Sequence, residues 1–186
     1  MTPAEQHAYD AARFTHLVES AHHHDWDRPS PVEGWTALDI VKHLVDWLPG
    51  FLERADVALT PVDVDEDPEA AWRHRTDEVQ DVLERRSGDA FESPMLGSTT
   101  IGDAVDRFYN ADVWMHSWDL AKALGHDFDM DEERCAAALA GMEQIDEELL
   151  RGSGQFGPRV EVPADASAQD RFIGFIGRDP SWTAQG

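Results

Sequence analysis

The sequence has almost no cysteine, no long apolar run and no recognisable targeting segment. Its one cysteine, Cys135, cannot form a disulfide within the chain, which fits a reducing compartment. No stretch approaches the ~18 consecutive apolar residues that a membrane-spanning helix needs. The amino terminus, MTPAEQHAYD, lacks the basic and then apolar layout of a signal peptide. These absences predict a cytoplasmic protein that does not enter a membrane.

Positive charge is also scarce in this chain. Lysine and arginine number 15 against 38 acidic residues, which gives a net charge of −23. Such a surface repels the phosphate backbone of nucleic acids and the headgroups of anionic lipids, so neither is expected as a partner. The simplest interpretation is a solvated acidic surface, and it does not identify a substrate.

What the sequence does contain is helical periodicity. A chain of 186 residues with 41% apolar residues suits one globular domain. Four long stretches repeat apolar residues three and four positions apart, each preceded by a helix-start pattern at Thr2, Thr36, Asp67 or Thr100. A fifth helical stretch follows DMDEE and carries Leu139, Met142, Ile145 and Leu149 on its apolar side. The pattern predicts an all-α fold, a four-helix bundle with short additional helices and a C-terminal tail.

The second helix is predicted over ALDIVKHLVDWLPGFLERADVAL, with a kink at Pro49, and SPMLGST is predicted as a loop. After Arg151 the composition becomes that of a loop, followed by a short helix in AQDRFIGFIGRDP. We therefore expect residues 1–152 to form the bundle. Residues 153–186 are expected to form a tail whose short helix packs on it, with no separate second domain.

Chemistry concentrates on the fourth helix, in DVWMHSWDLAKALG. At about 100° per residue, Asp112, His116 and Asp119 fall on the same stripe as its apolar residues Ile101, Val105, Phe108 and Ala123. A carboxylate taken out of water costs several kcal/mol unless something compensates it. A divalent cation does so, and an acid and a histidine one turn apart can both reach one ion.

The second helix offers a third ligand. His43 lies at the edge of its apolar arc, and facing helices of a bundle supply the ligands of a central site. His43, Asp112 and His116 would make a two-histidine, one-carboxylate set with open positions on the ion, as in catalytic sites. The spacing alone also fits a buried Asp–His hydrogen-bonded pair without metal. His7 is a competing ligand or a satisfied core histidine, and the exposed-looking run His22–His24 is a third place where metal could bind.

Three blocks of the sequence resemble a known family. WDRPSPVEGWTALDIVKHLVDW, DVWMHSWDLAKALG and RVEVPADASAQDRFIGFIGRDP are similar, in this order, to blocks of a DinB-like family. That family is related to the N-terminal metal-binding domain of mycothiol-dependent maleylpyruvate isomerases. The chain is therefore identified as a short, single-domain member, with Val32 where many relatives have cysteine.

The resemblance implies a four-helix bundle that holds a divalent metal, with zinc expected ahead of nickel. It implies His43, Asp112 and His116 as the ligands, with Asp112 the shorter of the two acids seen at its position, and it leaves Asp119 as a residue that would orient a histidine. The isomerases also have a C-terminal α+β domain that helps form their substrate site. Only about 35 residues follow the last long helix here, too few for such a domain, so isomerisation of maleylpyruvate is not assumed.

Two functions follow from this interpretation. In the first, the metal activates the thiol of mycothiol or another low-molecular-weight thiol, and the protein is a thiol S-transferase or isomerase acting on a small electrophile. In the second, the protein is a non-catalytic metal-binding structural or interaction module. Expected partners are the thiol and the electrophile, with a second copy of the chain as a further candidate.

Overall fold

The structure, a computed structural model, describes residues 1–93, 97–152 and 156–184. In these described residues there are eight α-helices and two strands: α1 (Pro3–Ser20), α2 (Ala37–Leu52), α3 (Pro68–Arg86), β1 (Ala90–Ser93), β2 (Gly97–Thr100), α4 (Ile101–Val105), α5 (Ala111–Leu124), α6 (Glu132–Met142), α7 (Glu147–Gly152) and α8 (Ala168–Phe175). A π-helical turn, Asp106–Asn110, joins α4 to α5, so residues 101–124 form one long helical segment. The all-α prediction is confirmed.

The four predicted helix starts are confirmed by their caps. The hydroxyl oxygens of Thr2, Thr36 and Thr100 each accept a hydrogen bond from the backbone amide three residues on. The carboxylate of Asp67 does the same for α3. A cap of this kind stabilises a helix by about 1 kcal/mol, because it satisfies an amide that the helix itself cannot.

Two packed clusters of side chains lie on opposite sides of α5. One is the bundle core, to which α5 contributes Val113, Leu120, Ala121 and Leu124. The other contains Trp114 and Trp118 of α5 and is closed by α6 and α8 through residues that include Leu139, Phe172 and Ile173. Because α5 is covered on both sides, its polar side chains lie in protein rather than in water.

The C-terminal helix predicted in AQDRFIGFIGRDP is present as α8, and it packs on α6 and α5. The division into a bundle of residues 1–152 and a tail of residues 153–186 stays a prediction. Among the described residues, no helix combines the length and the apolar character needed to span a membrane.

The second helix is shorter than predicted. It ends at Leu52 and passes through a 3-10 turn, Glu53–Ala55, to Asp56, whose φ of 53° is left-handed. The carbonyls of Ala55 and Asp56 accept hydrogen bonds from the guanidinium of Arg86, both at 3.1 Å. This contact with α3 stabilises the chain reversal at a point where the apolar pattern alone predicts more helix.

The prediction of a loop in SPMLGST was wrong at its edges. Residues 90–93 and 97–100 pair antiparallel, with Ala90 opposite Thr100 and Ser93 opposite Gly97, and residues 94–96 lie outside the described part of the chain. Gly97 has a φ of 68°, a left-handed conformation that glycine adopts without strain. Two strands of four residues carry too little alternation to be recognised.

The fifth helix also ends earlier than predicted. It stops at Met142, and α7 begins only at Glu147. The interruption changes the helical phase, so Ile145 and Leu149 are exposed (39% and 71%) although they were predicted to face inward. Leu150 is buried in their place.

The π-helical turn was not predicted either. It adds a residue to one turn of the helix, so the buried aromatic side chain is Tyr109, while Phe108 is only partly buried. After the turn, Asp112, His116 and Asp119 still point inward from α5. The predicted stripe was therefore wrong at Phe108 and right for the polar residues.

Candidate metal centre

The three predicted ligands meet between α2 and α5. One ligand atom each from His43, Asp112 and His116 lies within 4.8 Å of the other two. Among the residues that the structure describes, this is the only group of three histidine, cysteine or acidic side chains close enough to hold one ion. The side chains of His43, Asp112 and His116 are 31%, 17% and 7% exposed, so the group lies at the base of an opening rather than in a closed core.

Asp112 is the centre of the group. The Nε2–H of His43 donates to its Oδ2 at 2.8 Å, and the indole N–H of Trp47 donates to the same oxygen at 3.0 Å. The Nε2 atom of His116 lies 3.5 Å from the other carboxylate oxygen, Oδ1. That distance exceeds an ordinary hydrogen bond, so Nε2 of His116 is available to another partner.

Asp119 fixes the orientation of His116. The Nδ1–H of His116 donates to Oδ2 of Asp119 at 2.9 Å. An ionised carboxylate only accepts, so the proton of the neutral ring lies on Nδ1 and the lone pair on Nε2, facing Asp112. Metal-binding histidines are held in this way, with the other nitrogen donating to a carboxylate.

Both carboxyl groups stay ionised despite their burial. Burial by itself raises the pKa of Asp112, but the electrostatic interaction with His116 and the hydrogen bonds from His43 and Trp47 outweigh it and lower the pKa below the ordinary value. For Asp119, burial again raises the pKa, but the charge of Arg178 and the hydrogen bond from His116 outweigh burial, and the pKa is lowered overall. Two ionised carboxylates, those of Asp112 and Asp119, thus remain on the buried face of α5.

The donor set fits a divalent ion. Two imidazoles and one carboxylate suit zinc and nickel, and three protein ligands leave a position open. Neighbouring ligand atoms on a tetrahedral zinc stand roughly 3.3 Å apart for bonds of about 2 Å. The 3.5 Å between His116 Nε2 and Asp112 Oδ1 is close to this spacing. In this structure the Nε2–H of His43 donates to Asp112. To bind an ion through Nε2, the neutral ring would have to carry its proton on Nδ1 instead.

Comparison with known proteins identifies a family. Residues 8–121 match the family described as the mycothiol maleylpyruvate isomerase N-terminal domain. The chain belongs to this family. Two uncharacterized proteins of Mycobacterium tuberculosis, MT0763 of strain CDC 1551 / Oshkosh and Rv0738 of strain H37Rv, are each 25% identical to it over 179 residues, which covers 94% of this chain and 96% of each relative. No solved structure matches the chain.

The family assignment made from the three sequence blocks is thus confirmed. The segment that matches the family contains all three candidate ligands and Asp119. It ends before α8, so the contacts that the C-terminal segment makes with the site lie outside the matched region.

Two tryptophan rings lie beside this site, and one of them, Trp35, was not predicted from the sequence. The ring of Trp35 lies 5.1 Å from that of His43 and is stacked on His116 at 5.7 Å. With Trp47 it borders an open cleft of about 570 Å³, whose lining also includes Gly34, Asp39, Lys42 and Asp46. Trp35 precedes α2 in an irregular turn, where no periodicity indicates the direction of a side chain.

The other histidines considered lie away from this group. His22, His23 and His24 are exposed. His7 is buried in the core, where Nδ1 pairs with Oε1 of Gln80 at 2.8 Å and the ring stacks on Tyr109. Its Nε2 has no hydrogen-bond partner among the described residues, so the expected satisfied core histidine is satisfied at only one nitrogen.

This buried histidine predicts a pH dependence of stability. Burial lowers the pKa of His7 below its ordinary 6.5, and this outweighs the opposing effects of Gln80 and Asp10. The unfolded chain therefore takes up a proton that the folded protein does not, and stability falls as the pH drops below about 6.5. In a His7→Met variant this loss should be smaller, by at most about 1.4 kcal/mol per pH unit. Urea unfolding of the metal-free proteins between pH 7 and 5 measures it, and parallel profiles would contradict it.

Proposed function

We propose that the protein is a metal-dependent thiol S-transferase acting on a small electrophile. In this proposal His43, Asp112 and His116 hold a divalent ion, zinc ahead of nickel, and the thiol is mycothiol or another low-molecular-weight thiol. The observation that carries the proposal is the convergence of three donor side chains from two helices, one of which, His43, lines an open cleft. Membership of the mycothiol-related family supports the choice of thiol.

The chemistry that such an ion supplies when bound is to favour the deprotonated form of a coordinated thiol at neutral pH. The sulfur then forms a bond to an electrophilic carbon, and the leaving group departs with its bonding electrons. In an addition reaction there is no leaving group, and the electrophile takes up a proton instead. The protein's own residues position the partners, because Asp119 fixes His116 and the rings of Trp35 and Trp47 offer flat surfaces beside the donors.

The thiol must come from outside the chain. Cys135 is part of α6 and is buried in the second of the two packed clusters, and burial raises the pKa of its thiol to about 12. A thiol in that state is a poor nucleophile at neutral pH. It also packs with Trp114 and Phe172 in the second cluster rather than with the donor side chains.

A metal-binding module without catalysis is the second candidate. The observation that favours it is that His43 and Trp47 of α2 both donate hydrogen bonds to Asp112 of α5. The two helices already meet at this point, so an ion bound there would link them. The two candidates differ in whether a position on the ion is open to a thiol. The absorption spectrum of the cobalt-substituted protein should change on addition of mycothiol if the position is open, and it should not change if the ion only links helices.

The proposal is tested by conjugation assays. The zinc-loaded protein should accelerate the reaction of mycothiol with at least one of a panel of electrophiles, and the metal-free protein should not. A Cys135→Ala variant is the matched control and should retain the rate, since the chain's own thiol takes no part. Equal rates with and without protein across the panel would contradict the transferase.

The charge around the cleft predicts a preference among electrophiles. Asp39 and Asp46 line it, and the ammonium of Lys42 is held by Asp65 at 2.5 Å. A neutral electrophile should therefore react several-fold faster than its carboxylate-bearing analogue, with the difference shrinking as salt screens the charges. An Asp46→Asn variant should narrow the gap. An anionic analogue that reacts as fast as the neutral one at low salt would contradict this preference.

A further inference from the structure

The C-terminal segment reaches the candidate centre through one buried arginine. Arg178, 7% exposed, donates from Nε to Oδ1 of Asp119 at 3.3 Å and from Nη2 to Oδ2 at 3.1 Å. Oδ2 is the oxygen that also accepts the Nδ1–H of His116 at 2.9 Å. Arg178 thus contacts no candidate ligand itself, and one carboxylate oxygen separates it from His116.

The guanidinium is held in place from its own side as well. Its Nη1 donates to the carbonyl of Ile176 at 3.1 Å, and the backbone amide of Arg178 donates to the carbonyl of Ile173 at 3.0 Å. The preceding residue, Gly177, has a φ of 89°, and a Cβ there would lie 2.7 Å from backbone atoms of Gly157. The segment around α8 is therefore seated closely enough to present Arg178 in one position.

Asp119 depends on this arginine because it has so few other partners. The carboxylate is 1% exposed, and within the described part of the chain its hydrogen bonds come from Arg178 and His116. Without Arg178 the carboxylate would keep only its bond with His116, and it could turn away from the ring. Oδ1 of Asp112 lies 3.5 Å from Nε2 of His116 and is a competing acceptor. With Asp119 no longer fixed, the ring can carry its proton on Nε2 and donate it to Asp112.

We propose that Arg178 is a positioning residue of the metal centre: it holds the Asp119 carboxylate in place as the acceptor of the His116 Nδ1–H, so that His116 presents an unprotonated Nε2 to the ion. This inference rests on the proposed function for its metal, and on the observed hydrogen bonds for the state of His116. It makes the C-terminal segment a part of the site, although that segment lies outside the matched region of the family. Partners of this outer kind typically change metal affinity by about 10- to 100-fold.

The test compares Arg178→Met and Arg178→Lys with a matched control, Arg134→Met. Arg134 also makes a two-contact ion pair with a buried carboxylate, to Oδ1 and Oδ2 of Asp10 at 2.7 and 2.9 Å, but it joins α6 to α1 and does not contact the centre. Thermal unfolding of each variant first establishes that it is folded. Lysine keeps the charge without the planar fork, so Arg178→Lys also separates charge from shape.

Two readouts are measured on each folded variant. In the metal-free proteins, nitrogen-15 NMR at a pH where the ring is neutral reports which nitrogen of His116 carries the proton. We expect Nδ1–H in the wild-type protein, Arg134→Met and Arg178→Lys, and a shift toward Nε2–H in Arg178→Met. Zinc affinity, from competition with a chromophoric chelator, should fall about 10- to 100-fold in Arg178→Met and less in Arg178→Lys.

The outcomes separate the two proposals. A wild-type protein that binds no zinc would overturn the proposed function, while the proton position on His116 would still decide the role of Arg178. An unchanged proton position in Arg178→Met overturns the positioning role, as does an equal loss of zinc affinity in Arg134→Met. If Arg178→Met does not fold, Arg178→Lys decides: an Nε2–H form in that folded variant would overturn it.

Discussion

A His116→Ala variant is expected to lose stoichiometric zinc. The imidazole of His116 supplies one of the three candidate ligand atoms. Its unprotonated Nε2 already faces Asp112, 3.5 Å from Oδ1. Loss of a direct ligand should reduce zinc affinity by more than roughly 100-fold, the largest effect typical of residues that only hydrogen-bond to a ligand. Elemental analysis of protein without an affinity tag, with chelator competition, measures the change.

The matched control for this variant is His24→Ala. His24 is a histidine with a side chain 80% exposed, in the run that could itself attract metal. It should leave the bound zinc unchanged. An Asp112→Asn variant keeps the shape of the side chain and removes its charge, so it should lose affinity as His116→Ala does. Near-stoichiometric zinc in His116→Ala would contradict the assignment of the centre.

The sequence was sufficient to predict that these side chains lie together, because they follow the helical period. Asp112, His116 and Asp119 lie on one helix, and the inward direction of that helix is visible in its apolar residues. His43 could be added because α2 is apolar over a wide arc, so its histidine had to lie near a neighbouring helix. The π-helical turn at 106–110 did not destroy this prediction, since it precedes the polar residues and changes only the phase before them.

Arg178 and Trp35 could not be predicted, because nothing local indicates their contacts. Arg178 is 59 residues from Asp119 and follows α8 in a turn whose course depends on how that helix packs. Trp35 lies in a turn before α2. In both cases the side-chain direction is determined by tertiary packing, on which the periodicity of a single segment carries no information. The same reason explains the early end of α2, where Arg86 of another helix holds the reversal.

A Gly177→Ala variant is expected to lose at least about 2 kcal/mol of unfolding free energy. At a φ of 89° an alanine is strained, which costs on the order of 1–3 kcal/mol. Its Cβ would also lie 2.7 Å from backbone atoms of Gly157, so the two segments would have to move apart. Urea unfolding measures the loss.

Gly141→Ala is the matched control for this change. Gly141 is in α6, and a Cβ there meets nothing within 4 Å, so alanine should be neutral or stabilising by up to about 1 kcal/mol. Because Gly177 precedes Arg178, its displacement should also loosen the hold on Asp119, and zinc affinity should fall together with stability in Gly177→Ala alone. A Gly177→Ala protein as stable as Gly141→Ala would show that the C-terminal segment is not seated as described, and the support it gives to His116 would be lost with it.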